Sequence, residues 1–253
     1  MLKIENVEVM GWEHAIRGMR NPKNSWEKSD SFLCREIEDG TCPEYCSFIG
    51  KCPVYGTEDF FVLGNNDYTL MKNLRNAGTD HRKFMRMITV YVDITAPLYW
   101  WKEFDTYKVG TVANSCSTMH KIAAKEFTLE DFSCEHLMDN CGLEIEFTNK
   151  ETNCKDYSMC GFDDILHITI DALNFARQMY NETGEKSWWW QMIQLLPTSY
   201  NQKRTVMLNY EVLANIYKSR RNHKLDEWHT FCDWIEELPY SELITGKEYE
   251  VEE

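Results

Sequence analysis

The chain has 253 residues, of which 43% are hydrophobic and 13% aromatic, a composition typical of a globular protein with a substantial core. Its formal net charge of -14 argues against a protein that coats nucleic acid, because contact with many phosphates requires a basic surface. A pocket for a single nucleotide is still compatible with this charge, since a few arginines or lysines suffice there.

The sequence contains no uninterrupted apolar run of the roughly 18 residues that indicate a membrane span. Residues 2–10 alternate between polar and apolar side chains and lack the apolar core of a signal peptide. We therefore expect a cytoplasmic protein without a membrane partner.

The first part of the chain mixes strands with helices. Polar and apolar alternation with β-branched residues predicts strands, whereas apolar residues three or four apart, ended by glycine or proline, predict helices. In chain order the sequence predicts a strand at 2–10, a helix at 11–22, a helix at 67–78, a strand at 87–97 and a helix at 97–109.

From residue 163 onward the sequence predicts helices. They cover residues 163–184, 188–197, 205–221 and 226–238. Because strands come early and helices late, the predicted class is α/β (α+β), with a mixed sheet and a helical C-terminal half in one domain over 1–253.

Eight of the ten cysteines fall in two stretches, 21–66 and 130–160, that we interpret as irregular insertions. The four in the first stretch are separated by seven, three and five residues, and they are Cys34, Cys42, Cys46 and Cys52. None of these spacings is the Cys-x-x-Cys pattern favoured by structural zinc, so reduced thiols and no metal are predicted. A zinc or redox module at these cysteines is kept as an alternative.

The stretch DTYKVGTVANSCSTMH, residues 105–120, combines side chains suited to chemistry. Lys108 can supply a positive charge, and Cys116 can act as a thiolate nucleophile, with Lys108 or His120 stabilising the thiolate. Neutral hydrogen-bond donors surround it at Asn114, Ser115 and Ser117. A small buried thiol that only fills space is the alternative for Cys116.

Near the C-terminus the predicted helix 205–221 carries Asn209, Asn215 and Arg220. At 100° per residue the two asparagines lie about 240° apart and the arginine about 140° further on. These side chains therefore suit a long ligand or two sites, and an ordinary polar helix face is the alternative.

This C-terminal segment resembles the flavin-dependent thymidylate synthases, the ThyX family. There a Leu-Pro is followed at fixed distances by two asparagines, an arginine and a tryptophan. The gap-free matches here are Pro197, Asn209, Asn215, Arg220 and Trp228, with His223 one position before the family's histidine. An earlier segment is similar too, with His81 ahead of a strand that ends in Ala96 and Pro97.

The family's signature is altered in this chain. The family's Arg-His-Arg is replaced by Thr106, Tyr107 and Lys108. Its serine corresponds to Cys116 or Ser117, and its final arginine is replaced by Thr118. Glu103 stands where the family has a glutamine that reaches the substrate, and Ile193 stands where it has a substrate-binding arginine. Of the arginines expected around the nucleotide, only Arg220 is clearly kept, and Arg17, Arg20 and Arg204 are unplaced reserves for its phosphate.

The resemblance implies a single domain with the α/β ThyX-like fold. It further implies a divergent homotetramer that binds FAD and a pyrimidine deoxynucleotide between subunits, with no nucleic-acid polymer as partner. The implied cofactor-binding residues are His81, Asn209, Asn215, Arg220 and His223. The substrate-binding candidates are Glu103, Tyr107, Asn114, Ser115, Ser117 and Arg220, and the catalytic candidates are Lys108 and Cys116.

The implied reaction is reductive one-carbon transfer, dUMP to dTMP or a variant. It would use NADPH and methylenetetrahydrofolate if the family's chemistry is retained. A flavin- or nucleotide-binding or assembly protein that kept the scaffold without turnover is the alternative.

Overall fold

The computed structural model describes residues 2–34, 60–139, 141–149, 151, 153 and 155–246. The strands are β1 (Lys3–Met10), β2 (Phe32–Cys34), β3 (Phe60–Val62), β4 (Thr89–Pro97), β5 (Val112–Ser115), β6 (Leu143–Thr148), β7 (Lys155–Cys160) and β8 (Asn201–Asn209). The helices are α1 (Trp12–Arg20), α2 (Asn65–Asn76), α3 (Leu98–Phe104), α4 (Thr118–Lys121), α5 (Phe162–Thr183), α6 (Lys186–Leu195), α7 (Tyr210–Arg220), α8 (Asp226–Glu237) and α9 (Glu242–Thr245). The predicted mixed α/β class is confirmed.

The central feature is a four-stranded sheet with the order β1-β4-β8-β5. Strands β5 and β8 are antiparallel, and β5 forms one edge of the sheet. In β4, Val92 and Ile94 are buried while Tyr91 is exposed, so one face of the sheet packs on a core and the other meets solvent. Two further antiparallel pairs, β2–β3 and β6–β7, lie outside this sheet.

The described chain divides into two compact units. Unit 1 comprises Met1–Val7, Tyr91–Met207 and Asn222–Phe231. Unit 2 comprises Glu8–Val90, Leu208–Arg221 and Cys232–Glu253. The prediction of a single domain stays a prediction.

Unit 1 contains an aromatic cluster built on α3. This helix begins directly after Pro97, whose fixed φ suits a helix start, and it buries Trp100 and Phe104. The ring of Trp100 stacks on Phe104 at 5.1 Å and lies 4.7 Å from the buried Trp228 of α8. Large aromatic surfaces removed from water make this packing a major source of stability.

Unit 2 is organised around a buried ion pair. Arg20, at the end of α1, donates from Nε to Asp67 of α2 at 2.6 Å. The other carboxylate oxygen of Asp67 accepts from the hydroxyls of Ser29 and Ser31, both at 2.7 Å. The remaining guanidinium nitrogens of Arg20 donate to two backbone carbonyls, at 3.2 and 3.1 Å. Each guanidinium nitrogen of Arg20 therefore already donates a hydrogen bond within the fold.

Two predicted elements differ from the structure. Residues 205–209 continue β8 instead of starting a helix, because Val206 and Leu208 are buried while Thr205 is exposed, the alternation of a strand. The helix predicted at 97–109 ends at Phe104, where the backbone N–H of Thr106 already bonds the carbonyl of Glu103.

The prediction that 130–160 is irregular is wrong over β6 and β7, which pair from Leu143–Cys160 to Thr148–Lys155. The alternation in LEIEFT is the signal for this strand. In the other predicted insertion, 21–66, the described residues form two 3-10 turns, β2, β3 and the start of α2. Residues 35–59 lie outside the described part of the chain.

The buried ion pair generates a prediction about stability. Replacing Asp67 with asparagine is expected to lower the free energy of unfolding by about 3–5 kcal/mol at neutral pH, because Arg20 then remains buried without a counter-ion. Urea denaturation measures this loss. The exposed Glu27 provides the matched control, since Glu27→Gln is expected to change stability by less than about 0.5 kcal/mol.

The same pair makes stability depend on pH. Burial acts to raise the pKa of Asp67, but hydrogen bonds from Ser31, Ser29 and Arg20 outweigh burial and lower it below its usual value. Its stabilising contribution is therefore present above the unfolded pKa of about 3.9 and is lost as the pH falls below it. The stability difference between wild type and Asp67→Asn should narrow from pH 6 towards pH 3, and a constant difference would contradict this account.

Candidate functional site

Strand β8 runs directly into α7 at Asn209. This residue has extended backbone angles, and its side-chain Oδ1 accepts from the backbone N–H of Val212 at 3.1 Å, so it caps the helix. The prediction that Asn209, Asn215 and Arg220 share one helix is therefore corrected. Only Asn215 and Arg220 lie on α7, with Asn215 exposed and Arg220 half-buried.

A group of charged residues surrounds Asn215 in unit 2. Arg82 donates from Nη2 to Asn215 Oδ1 at 3.1 Å, and its Nε lies 3.4 Å from Glu211. Arg86 also binds Glu211, with one contact at 3.3 Å. Burial acts to raise the pKa of Glu211, but Arg86 and Arg82 outweigh burial and lower it. Glu211 therefore holds both arginines beside the exposed amide. These four residues are called the α7 cluster.

Positive charge exceeds negative charge around the α7 cluster. Arg75 donates to backbone carbonyls of α9, and both burial and the charge of Arg82 lower its pKa. Asp80 adds a second carboxylate, which acts with Glu211 to raise the pKa of Arg86. Three guanidinium groups thus lie close to two carboxylates. A surplus of this kind favours an anionic ligand.

The remaining cofactor candidates lie apart along the chain. His81 is exposed and precedes the 3-10 turn that carries Arg82 and Arg86, so it belongs to unit 2. His223 belongs to unit 1, where its Nε2 lies 3.3 Å from Glu103 Oε2. The roles assigned to both histidines stay predictions.

Glu103 joins two side chains of unit 1. Its Oε2 accepts from the indole N–H of Trp228 at 3.1 Å and faces His223. The Nδ1 atom of His223 accepts from the backbone N–H of Leu225 at 3.2 Å, which assigns the ring proton to Nε2, pointing at the carboxylate. Tyr107 packs edge-on against Trp228 at 6.2 Å. Glu103 therefore has a structural task besides its predicted contact with substrate.

The polar residues of the altered signature lie on and beside edge strand β5. Asn114 pairs with Thr205, and Ser115 pairs with Arg204. Successive strand residues point to opposite faces, so Asn114 and Ser115 do not share one patch. Ser117 caps α4 by accepting from the backbone N–H of His120 at 3.1 Å.

The catalytic candidates Lys108 and Cys116 are both exposed. The alternative of a buried packing thiol at Cys116 is therefore wrong. Among the described residues no histidine, lysine or carboxylate is hydrogen-bonded to its sulfur. Its backbone N–H donates to the carbonyl of Lys203 at 3.0 Å, which extends the β5–β8 pairing by one residue.

Sequence reasoning missed four arginines at these places. Arg204, one of the unplaced reserves, lies one residue before the helix predicted at 205–221, so no strand register was predicted for it. The alternation in β8 places Arg204 with Gln202 and Val206 on the packed face. Arg82 and Arg86 lie in the basic run HRKFMR that begins at His81, and this run was the available signal for an anion site. The sequence around Arg75 has no comparable run.

Within the described ranges, no three or more of the His, Cys, Asp and Glu side chains are grouped so as to hold a metal ion. The alternative zinc or redox module concerns Cys42, Cys46 and Cys52, which lie outside those ranges, as does the side chain of Cys34. None of the helices in the described chain is long and apolar enough to cross a membrane.

Several solved structures have the fold of this chain. ThyX from Helicobacter pylori with FAD and dUMP is 14% identical with a TM-score of 0.57, over 97% of this chain and 98% of that chain. A second structure of that enzyme complexed with FAD and dUMP has a TM-score of 0.58 at 15% identity, over 96% of this chain and 99% of that chain. The UMP/dUMP methylase PolB from Streptomyces cacaoi, bound with 5-Br dUMP, has a TM-score of 0.52 at 14% identity, over 97% and 95%.

No protein-family model matches the sequence, and no curated protein sequence matches it either. The structural likeness extends over nearly the whole chain but at low identity, so it establishes the fold. The chain has a ThyX-like fold, as the resemblance in sequence predicted.

The contacts of Glu103 lead to a prediction. Glu103→Ala is expected to lower the free energy of unfolding by about 1–3 kcal/mol, because the buried indole N–H of Trp228 loses this acceptor. Glu103→Gln keeps a carbonyl oxygen and should cost less. Lys102→Ala, one residue earlier at an exposed position, is the control, and thermal denaturation of the three variants gives the comparison. Equal effects of the alanine variants at 102 and 103 would refute the role of Glu103.

Proposed function

We propose that this chain is a divergent flavin-dependent thymidylate synthase-like protein, which binds FAD and transfers a one-carbon unit to a pyrimidine deoxynucleotide. The shared fold supports this proposal, since the neighbours with this fold include proteins crystallised with FAD and dUMP. The observation that carries it is the α7 cluster, where the retained Asn215 lies exposed beside a surplus of guanidinium groups.

The α7 cluster fits the chemistry of FAD. Its pyrophosphate carries two negative charges, which are bound well by guanidinium forks and amide donors. Glu211 positions Arg82, whose Nη1 has no recorded acceptor in the described structure, and Asn215 Nδ2 is likewise available. Asn209 uses its oxygen for the cap and keeps its amide nitrogen for a ligand.

FAD supplies the redox chemistry when it is bound, and the protein's part is to bind and orient it. NADPH as reductant and methylenetetrahydrofolate as carbon donor belong to the same proposal. In unit 2, Arg220 of α7 and His81, at the start of the 3-10 turn, complete the proposed set of cofactor contacts. His223 belongs to unit 1, and its cofactor role is a separate part of the proposal.

The proposed substrate side lies in unit 1. Lys108 is exposed and has no ion-pair partner among the residues that the structure describes, so its charge is available to a phosphate. Tyr107 and Glu103 border the Trp228 cluster, and Asn114, Ser115 and Ser117 offer neutral donors near β5. Cys116 is the proposed nucleophile, with its exposed sulfur as the supporting observation.

We further propose a homotetramer in which neighbouring subunits complete the sites. The solvent-facing side of the sheet in unit 1 exposes Tyr91 to 40% and Val112 to 60%, next to a polar network of Asp93, Lys203 and Thr205. Apolar residues exposed on a sheet face favour association. Asn215, exposed in the single chain, gains an enclosing surface if a partner covers it.

A second candidate is a flavin- or nucleotide-binding or assembly protein without turnover. The observation in its favour is that Thr106 and Thr118 stand where the signature has arginines, which leaves fewer fixed charges for the nucleotide phosphate. The two candidates agree on ligand binding and differ on turnover.

FAD binding gives the first test. Wild type is expected to bind FAD as a homotetramer, and Asn215→Ala and Arg82→Gln should each weaken binding by roughly tenfold, since each removes a hydrogen bond of about 1–2 kcal/mol. Titration followed by flavin fluorescence, together with analytical ultracentrifugation, measures both properties. Arg221→Gln is the matched control, because Arg221 follows the last residue of α7 and pairs with Asp233, outside the α7 cluster. Wild-type protein that takes up no FAD would refute the proposal.

Turnover gives the second test. Tritium release from labelled dUMP, with FAD, NADPH and methylenetetrahydrofolate present, is expected for wild type and should fall below detection in Cys116→Ser, because a hydroxyl is a far weaker nucleophile than a thiolate. Cys160→Ser, at a half-buried thiol on β7, is the control. Full activity in Cys116→Ser would exclude the thiolate mechanism. FAD binding without tritium release in wild type would favour the non-catalytic candidate.

A further inference from the structure

In unit 1, Arg204 lies on β8, the strand next to the edge strand β5, and its guanidinium group is held by neighbouring side chains. Its Nε donates to Gln202 Oε1 at 3.0 Å, and its Nη1 lies 2.8 Å from Asp105. The guanidinium group lies over the ring of Trp101, 4.2 Å from the centroid. Three partners on different sides therefore fix its orientation before any ligand arrives.

One nitrogen of this guanidinium group is unused. Within the described residues, Nη2 of Arg204 has no recorded hydrogen-bond acceptor, although 15% of the side chain is exposed to solvent. The hydroxyl group of Ser115, also exposed, likewise has no recorded partner there. Two hydrogen-bond donors are thus free where a ligand can reach them.

The strand register brings these two donors together. Ser115 is the direct partner of Arg204 in the β5–β8 pairing, so both side chains stand on the same face of the sheet. Directly opposed residues have Cβ atoms about 4.5–5.5 Å apart. Gln202, which accepts from Arg204, also donates from Nε2 to the carbonyl of Cys116 at 2.9 Å, and so fixes the neighbouring backbone of the edge strand.

We propose that Arg204 and Ser115 form an anion subsite that binds the phosphate of a nucleoside monophosphate. The ligand class rests on the proposed function, whereas the subsite itself rests on the two free donors. A phosphate monoester carries close to two negative charges and accepts from a guanidinium edge and a hydroxyl together. This subsite supplies a guanidinium group that the residues at 106 and 108 do not provide.

Asp105 modulates the subsite. Its carboxylate, 49% exposed, binds Nη1 and offsets part of the charge of Arg204. Removing that charge should strengthen phosphate binding, but only while Arg204 is present, because Gln202 and Trp101 continue to hold the guanidinium group. If the charge of Asp105 acted only at long range, its removal would change phosphate affinity equally with and without Arg204.

The test is calorimetric titration of the full chain with dUMP, deoxyuridine and inorganic phosphate. Arg204→Gln is expected to weaken dUMP binding by roughly 10- to 100-fold, the size of a lost charge-assisted contact, and to leave deoxyuridine binding unchanged. Arg204→Lys should lie between, since lysine keeps the charge without the fork. Asp105→Asn should tighten dUMP binding in wild type and not in the Arg204→Gln background.

Lys186→Gln is the matched control. It removes the same charge at an exposed residue at the start of α6, outside the β5–β8 pair. It should change dUMP affinity by less than about threefold, which is the screened effect of a distant charge. If the glutamine variant of Arg204 does not fold, Arg204→Lys and the effect of Asp105→Asn on otherwise wild-type protein decide.

The proposal is overturned if Arg204→Gln binds dUMP as wild type does, if deoxyuridine binding falls equally, or if wild type binds neither dUMP nor phosphate. FAD binding is measured in a separate titration, and it tests the α7 cluster in unit 2. If the protein binds FAD but Arg204→Gln leaves dUMP affinity unchanged, the proposed function stands and the anion subsite is refuted. If the protein binds no FAD but Arg204→Gln weakens phosphate-dependent binding, the subsite stands and the proposed function is refuted.

Discussion

The structure of both candidate sites depends on how strand β8 pairs and ends. Its register with β5 sets Arg204 beside Ser115 and Thr205 beside Asn114, on opposite faces. Its last residue, Asn209, is extended and turns the chain into α7 by capping the helix with its own side chain. A shift of one residue in this pairing would exchange the two faces, because side chains alternate along a strand.

Charge is distributed locally in a chain whose net charge is -14. Arg20, which the sequence left as a reserve for phosphate, is consumed by the buried pair with Asp67. Arg82 and Arg204 are different, because each is positioned by a carboxylate and keeps a nitrogen for a ligand. A guanidinium group held in place loses less entropy on binding than a mobile one, so few arginines can suffice.

The fold of this protein is shared with the ThyX structures, whereas the side chains at the proposed sites are only partly shared with the family's sequence pattern. Low identity over nearly the whole chain is compatible with a scaffold that is kept while its ligands change, since function depends on particular side chains grafted on a fold. The retained amides Asn209 and Asn215 belong to the proposed cofactor side. The altered positions Thr106 and Cys116 belong to the proposed substrate side, where Arg204 of another strand is the proposed source of the guanidinium group.

Local patterns determined the elements that a short stretch specifies by itself. The strand that ends at Pro97, the stop of a helix at Gly184 and the mixed α/β class follow from alternation, a fixed φ and a left-handed glycine. The matching pattern of Pro197 and Asn209 also sufficed to indicate the ThyX-like fold.

Only the tertiary structure decided which residues meet. Residues 205–209 were predicted as helix and form strand because β8 lies between β4 and β5 in the sheet, where residues 205–207 pair with β5. Asp67 and Arg20 lie 47 residues apart, and Arg82 and Asn215 lie 133 apart, so no local pattern could join them. The sequence alone determined the fold class and the retained amides, whereas long-range packing and strand register decided which charges stay free for a ligand.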